Sequence, residues 1–60
     1  MKIYSLMLVK NEEDIVASTL RAAAEWSDKL IVLDNGSTDH TWEIVNDMAS
    51  LHPCIIPFAQ

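Results

Sequence analysis

Two clusters of side chains in this sequence have the types and spacing to do chemistry. The first is Lys10-Asn11-Glu12-Glu13-Asp14 and the second is Asp34-Asn35-Gly36-Ser37-Thr38-Asp39. Both are rich in carboxylates and amides, which suit ligand groups that donate hydrogen bonds, such as a ring N–H or a ribose hydroxyl, or else a metal ion. Phosphate is a poorer match. The dinucleotide and P-loop fingerprints need at least two glycines after the first strand, whereas Gly36 is the chain's one glycine. Three consecutive acids after Asn11 also put like charge where a phosphate would sit at a helix start. Other chemistries find less support. His40 and His52 lack partners at metal-ligand spacing, and Cys54 reads as a small apolar residue rather than a nucleophile.

The elements that must position these clusters follow from hydropathy. Residues 3–9 are nearly all apolar and stop at the first cluster, the pattern of a strand buried on both faces of a parallel sheet. Asn11 is placed to cap a helix with Glu12, Glu13 and Asp14 in its first turn, where negative charge suits the helix dipole. That helix runs to about Glu25 or Trp26 and turns Ile15, Val16, Leu20, Ala23 and Ala24 inward. Residues 30–33 form a second apolar run, ending at the second cluster. A second helix is expected from about His40 to Ser50, with Ile44, Val45, Met48 and Leu51 on one face, and Pro53 stops it. Residues 54–58 read as a third strand, which Pro57 assigns to an edge because it cannot donate to a ladder.

The expected fold is therefore α/β, a β-α-β-α-β half of a Rossmann-like parallel sheet with strand order 3-2-1. Ligands in open α/β sheets bind beyond the carboxyl ends of the strands, so residues 10–13 and 34–39 should meet in one crevice. Right-handed crossovers put both helices on the same side of such a sheet. The opposite side, although apolar, then lacks cover. The chain thus reads as the front half of something larger, completed by the rest of a domain or by self-association.

Composition closes off several classes of function. Nine acids face four basic residues, giving a formal charge of −5, and no basic patch is available for a nucleic acid. A lone cysteine excludes an intrachain disulfide. The longest uninterrupted apolar runs, residues 6–9 and 30–33, are far short of the roughly 20 residues that span a bilayer. Met1-Lys2 opens like a signal peptide, but Ser5 interrupts the apolar segment and residues 10–14 end it without a cleavage site. The cytoplasm is the expected location.

Two stretches carry a resemblance. Ser5-Leu6-Met7-Leu8-Val9-Lys10-Asn11-Glu12-Glu13 is one. The other begins Trp26-Ser27-Asp28-Lys29-Leu30-Ile31-Val32-Leu33 and continues Asp34-Asn35-Gly36-Ser37-Thr38-Asp39-His40-Thr41. At this separation they resemble the start of family 2 glycosyltransferases, which have the GT-A fold. The resemblance implies that residues 1–60 are the N-terminal, nucleotide-binding part of such a domain, cut short. It further implies that Asp34 contacts a pyrimidine or ribose, that Asn11 and Glu12 line the same pocket, and that Gly36 and Asp39 shape the loop beside it. The expected donor is a nucleotide sugar, most simply a uridine diphosphate sugar, whose sugar passes to an acceptor hydroxyl with inversion. A divalent metal, magnesium or manganese, is expected to assist. Its D-x-D ligands and the catalytic base belong further along the family's pattern, and no D-x-D occurs here. The sixty residues alone are thus expected to be inactive.

Two rivals remain at the level of sequence. Residues 31–34 followed by Gly36 and Thr38 have some likeness to the nucleophile loop of haloacid-dehalogenase-like phosphohydrolases, but Gly36 stands where that loop wants a second acid. The other rival is a non-catalytic α/β binding or assembly module that meets a partner through the uncovered sheet.

Overall fold

A computed structural model describes residues 1–59. The chain alternates β1 (Tyr4–Val9), α1 (Val16–Trp26), β2 (Lys29–Asp34), α2 (Thr41–Leu51) and β3 (Ile55–Ala59). The three strands form one parallel sheet in the order β1-β2-β3, with the β-α-β-α-β topology that the alternation of patterns predicts. Central β2 is the strand that ends in Asp34. Pro57 lies opposite Val32 on the edge strand β3, where its missing N–H leaves only one ladder affected.

The core forms between the helices and one face of the sheet. Strand alternation sends Leu30, Val32 and Asp34 of β2 to that face, and all three are buried. Val16, Leu20 and Ala23 come from α1, and Thr41, Val45 and Met48 from α2, at helical spacing. Val9 and Ile55 complete a single apolar cluster with the hydrophobic residues among these. Asp34 thus sits in line with the core, at the one place where that line reaches the carboxyl edge of the sheet.

The other sheet face is open. Tyr4, Leu6 and Leu8 of β1 are 67%, 75% and 63% exposed, and Phe58 of β3 is exposed too. Leu6, Ile31 and Ile56 lie side by side across the three strands, as do Leu8, Leu33 and Phe58, so the exposed apolar surface is continuous.

The structure corrects the expected start of the first helix. Asn11 does not cap it, for α1 begins at Val16 and has no acidic residue in its first turn. Asn11 instead adopts a left-handed backbone, φ 50, which a short amide side chain tolerates better than most. Residues 12–15 then turn into the helix, with the Glu12 carbonyl accepting from the Ile15 and Val16 amides at 3.0 and 2.8 Å. Two residues placed on inward stripes face solvent as a result of lying at helix limits. Ile15 falls in this turn and Leu51 is the last residue of α2.

Candidate functional site

Parallel pairing brings the ends of all three strands to one edge. Val9, Asp34 and Ala59 are neighbours across the sheet, and the loops that leave β1 and β2 start there. The Asn35 amide donates to the Val9 carbonyl at 2.9 Å, carrying the pairing one residue past the strands.

Beyond that point, side chains hold the two loops together. The Asn11 Oδ1 accepts from the backbone amides of Thr38 at 2.7 Å and Asp39 at 3.3 Å, and the Asn11 backbone N–H donates to the Ser37 Oγ at 3.0 Å. The Glu12 amide donates to the Thr41 Oγ1 at 2.8 Å. Asp39 joins three segments, since its Oδ1 accepts from the Thr41 amide and hydroxyl while its Oδ2 accepts from the Glu13 amide at 3.3 Å. On the outside, His40 Nδ1 lies 3.0 Å from the Glu13 carboxylate. The resemblance implied that Asn11 and Glu12 line the nucleotide pocket and that Asp39 shapes the loop beside it. The hydrogen bonds of Asn11 and Asp39 and the backbone of Glu12 fix one loop to the other.

Two ionisable groups respond to this bracing. The Thr41 hydroxyl, followed by backbone amides that include that of Glu13, holds the Asp39 carboxyl below the usual carboxylate range. The hydrogen bond to Glu13, then the charge of Glu43, raises His40 above the ordinary imidazole value.

A pocket of about 170 Å³ opens beside the brace, lined by Asp34, Gly36, Ser37, Trp42 and Ala59. Asp34 is 3% exposed. Its Oδ1 accepts from the Ser37 amide at 2.7 Å, whereas its buried Oδ2 has no hydrogen-bond partner. Gly36 makes the turn possible with φ 81, a backbone region in which a Cβ is strained. Of the predicted site residues, then, the structure places Asp34 and Gly36 on the pocket wall and Asn11, Glu12 and Asp39 in the brace behind it. Ser37, Trp42 and Ala59 are the lining residues outside that predicted set. The signal for Trp42 was its position just after the second cluster; for Ala59 it was the alignment of strand ends, which becomes visible only once register is known.

A divalent metal finds no ligand set here. Among the described residues no three His, Cys, Asp or Glu side chains converge on a point. Asp39 has both carboxylate oxygens occupied, and Asp34 has one. The residues present do not fit such an ion. No helix among the described residues is long and apolar enough to cross a membrane.

In comparison with known proteins, the family model described as glycosyl transferase family 2 matches residues 6–60. No curated protein and no solved structure matches the chain.

Proposed function

Because the chain belongs to glycosyltransferase family 2, we propose that its pocket holds the base of a nucleotide-sugar donor, a uridine diphosphate sugar, for inverting transfer to an acceptor hydroxyl. In that reaction the acceptor oxygen bonds to the anomeric carbon, the bond to the nucleoside diphosphate breaks, and the hydroxyl proton passes to a base that these residues do not supply. The part of this chain is to bind and orient the donor. Donor metal contacts, where the reaction uses them, come from outside the described residues.

One observation carries the reading: Asp34 lines the pocket and keeps one carboxylate oxygen, Oδ2, buried without a partner. A buried carboxylate oxygen without a partner is costly, and a ligand that donates an N–H to it relieves that cost. The pocket's size supports a base rather than a whole nucleotide sugar. About 170 Å³ is small beside the roughly 300–1,000 Å³ of pockets that enclose drug-sized ligands, so one ring enters while ribose and diphosphate project outward. The projecting diphosphate suits a site with no basic residue in its lining.

Asp34→Asn in the full chain tests the assignment. The asparagine keeps an oxygen for the Ser37 amide and turns a donor toward the ring N–H, so donor binding should weaken by about 1–3 kcal/mol. Calorimetric titration with uridine diphosphate reads this directly. Unchanged affinity would reduce Asp34 to a residue that only shapes its turn.

A further inference from the structure

We infer that Trp42 is a base-stacking residue of this pocket and that Ala59 is the small residue that leaves a planar ring room beside it. The inference rests on the proposed reading of Asp34 and adds the surface against which the ring lies. Among the five lining residues, Asp34, Gly36 and Ser37 present hydrogen-bonding groups or bare backbone, and Trp42 is the one aromatic side chain. A ring held only at its edge by Asp34 remains free to tilt; an indole on its face removes that freedom.

The packing around Trp42 prepares it for this role. It follows Thr41, a fully buried residue whose hydroxyl is bonded to both Asp39 and the Glu12 amide, so the start of α2 is tied to the loop that carries the pocket. Trp42 is itself half-buried, with part of its side chain against the core and part lining the pocket. Such an anchor offers a flat apolar surface with little side-chain entropy left to lose. Ala59 enters through sheet register. It lies across from Asp34 on β3, so its side chain belongs to the same carboxyl edge, and a longer side chain there would reach into the space beside the carboxylate.

The chain's other tryptophan supplies an internal control. Trp26 ends α1, which leads to the start of β2, so it lies toward the opposite edge of the sheet from the pocket. In a Trp26→Phe background of the full chain, the fluorescence of Trp42 should be quenched by uridine diphosphate, saturating at the concentration at which calorimetry shows binding. Trp42→Leu keeps an apolar side chain but removes the ring face. It should weaken uridine diphosphate binding about 5- to 100-fold. The affinity for ribose 5-phosphate, which has no base, should not move. Trp42→Tyr should restore most of the loss, and Ala59→Leu should exclude the base while leaving ribose 5-phosphate unaffected.

The outcomes separate the two readings. If uridine diphosphate binds and Asp34→Asn weakens it, but Trp42→Leu does not and Trp42 fluorescence stays constant, the stacking role is overturned while the assignment of Asp34 stands. An equal loss of both ligands in Trp42→Leu would make Trp42 a packing residue and also overturn the inference. Failure of the unaltered chain to bind uridine diphosphate would overturn both readings.

Discussion

Asn11 is the residue whose replacement should most directly loosen the brace between the two loops. Its Oδ1 accepts from two backbone amides of the other loop, at 2.7 and 3.3 Å. Each such bond contributes about 0.5–1.5 kcal/mol net, and exposure keeps these toward the lower half, so together they are worth about 1–2 kcal/mol. Backbone strain adds to this in one variant. At φ 50 an alanine carries a Cβ penalty of about 1–2 kcal/mol, only partly offset by the roughly 0.4–1 kcal/mol by which it restricts the unfolded chain relative to glycine. Asn11→Gly should therefore cost about 1–2 kcal/mol and Asn11→Ala somewhat more. Denaturant unfolding of the full chain gives both values, and hydrogen exchange at the Thr38 and Asp39 amides gives the local effect. An alanine variant as stable as the glycine variant would refute the strain argument. Unchanged exchange at Thr38 and Asp39 in both would refute the brace itself.

Three further outcomes are expected. Gly36→Ala meets open space but is strained at φ 81, so it should cost about 1–2 kcal/mol in denaturant unfolding, and a neutral substitution would show that the turn readjusts freely. The pH behaviour of the brace has two limits. The contribution of raised His40 is complete below the ordinary imidazole value and is lost as pH rises through its folded value, whereas that of depressed Asp39 is present above the ordinary carboxyl value and is lost as pH falls through its folded value. NMR titration should find the His40 midpoint lowered by Glu13→Gln yet still elevated by Glu43 and Asp39, and an unmoved midpoint would remove Glu13 as its main partner. Finally, the sixty residues by themselves expose Tyr4, Leu6, Leu8 and Phe58 on one sheet face and should fold poorly or self-associate at micromolar concentration; light scattering that finds a cooperatively folding monomer would refute this.

The fold was legible because its signals are local. Apolar runs at residues 3–9, 30–33 and 54–58 fall within a residue or two of the observed strands, and Pro57 marks the edge strand it occupies. The buried stripes of both helices follow from spacing alone, apart from Ile15 and Leu51 at their limits. The start of α1 was not legible. Asn11 has the chemistry of a helix cap, but Thr38 and Asp39, which are remote in sequence, compete for the same side-chain oxygen and win. Asp34 and Gly36 could be singled out because a strand end and a lone glycine mark them in sequence. The resemblance already implied different roles for Asp34, at the ligand, and Asp39, in shaping the loop; what the folded geometry adds is that Asp39 has both oxygens engaged and Asp34 has one left over. Ala59 carries no chemical signal of its own, and its place on the pocket wall follows from register with Asp34.

In the proposed complex the unpaired oxygen of Asp34 receives the ring N–H of a donor's base. The most direct test is a calorimetric comparison, on the full chain, of uridine diphosphate with its analogue methylated at that ring nitrogen. The methyl group removes the one donor in question and leaves ribose and diphosphate intact. The analogue should bind about 5- to 100-fold more weakly, equivalent to about 1–3 kcal/mol, and Asp34→Asn should erase the difference. Equal affinity of the unaltered chain for the two ligands would contradict that contact.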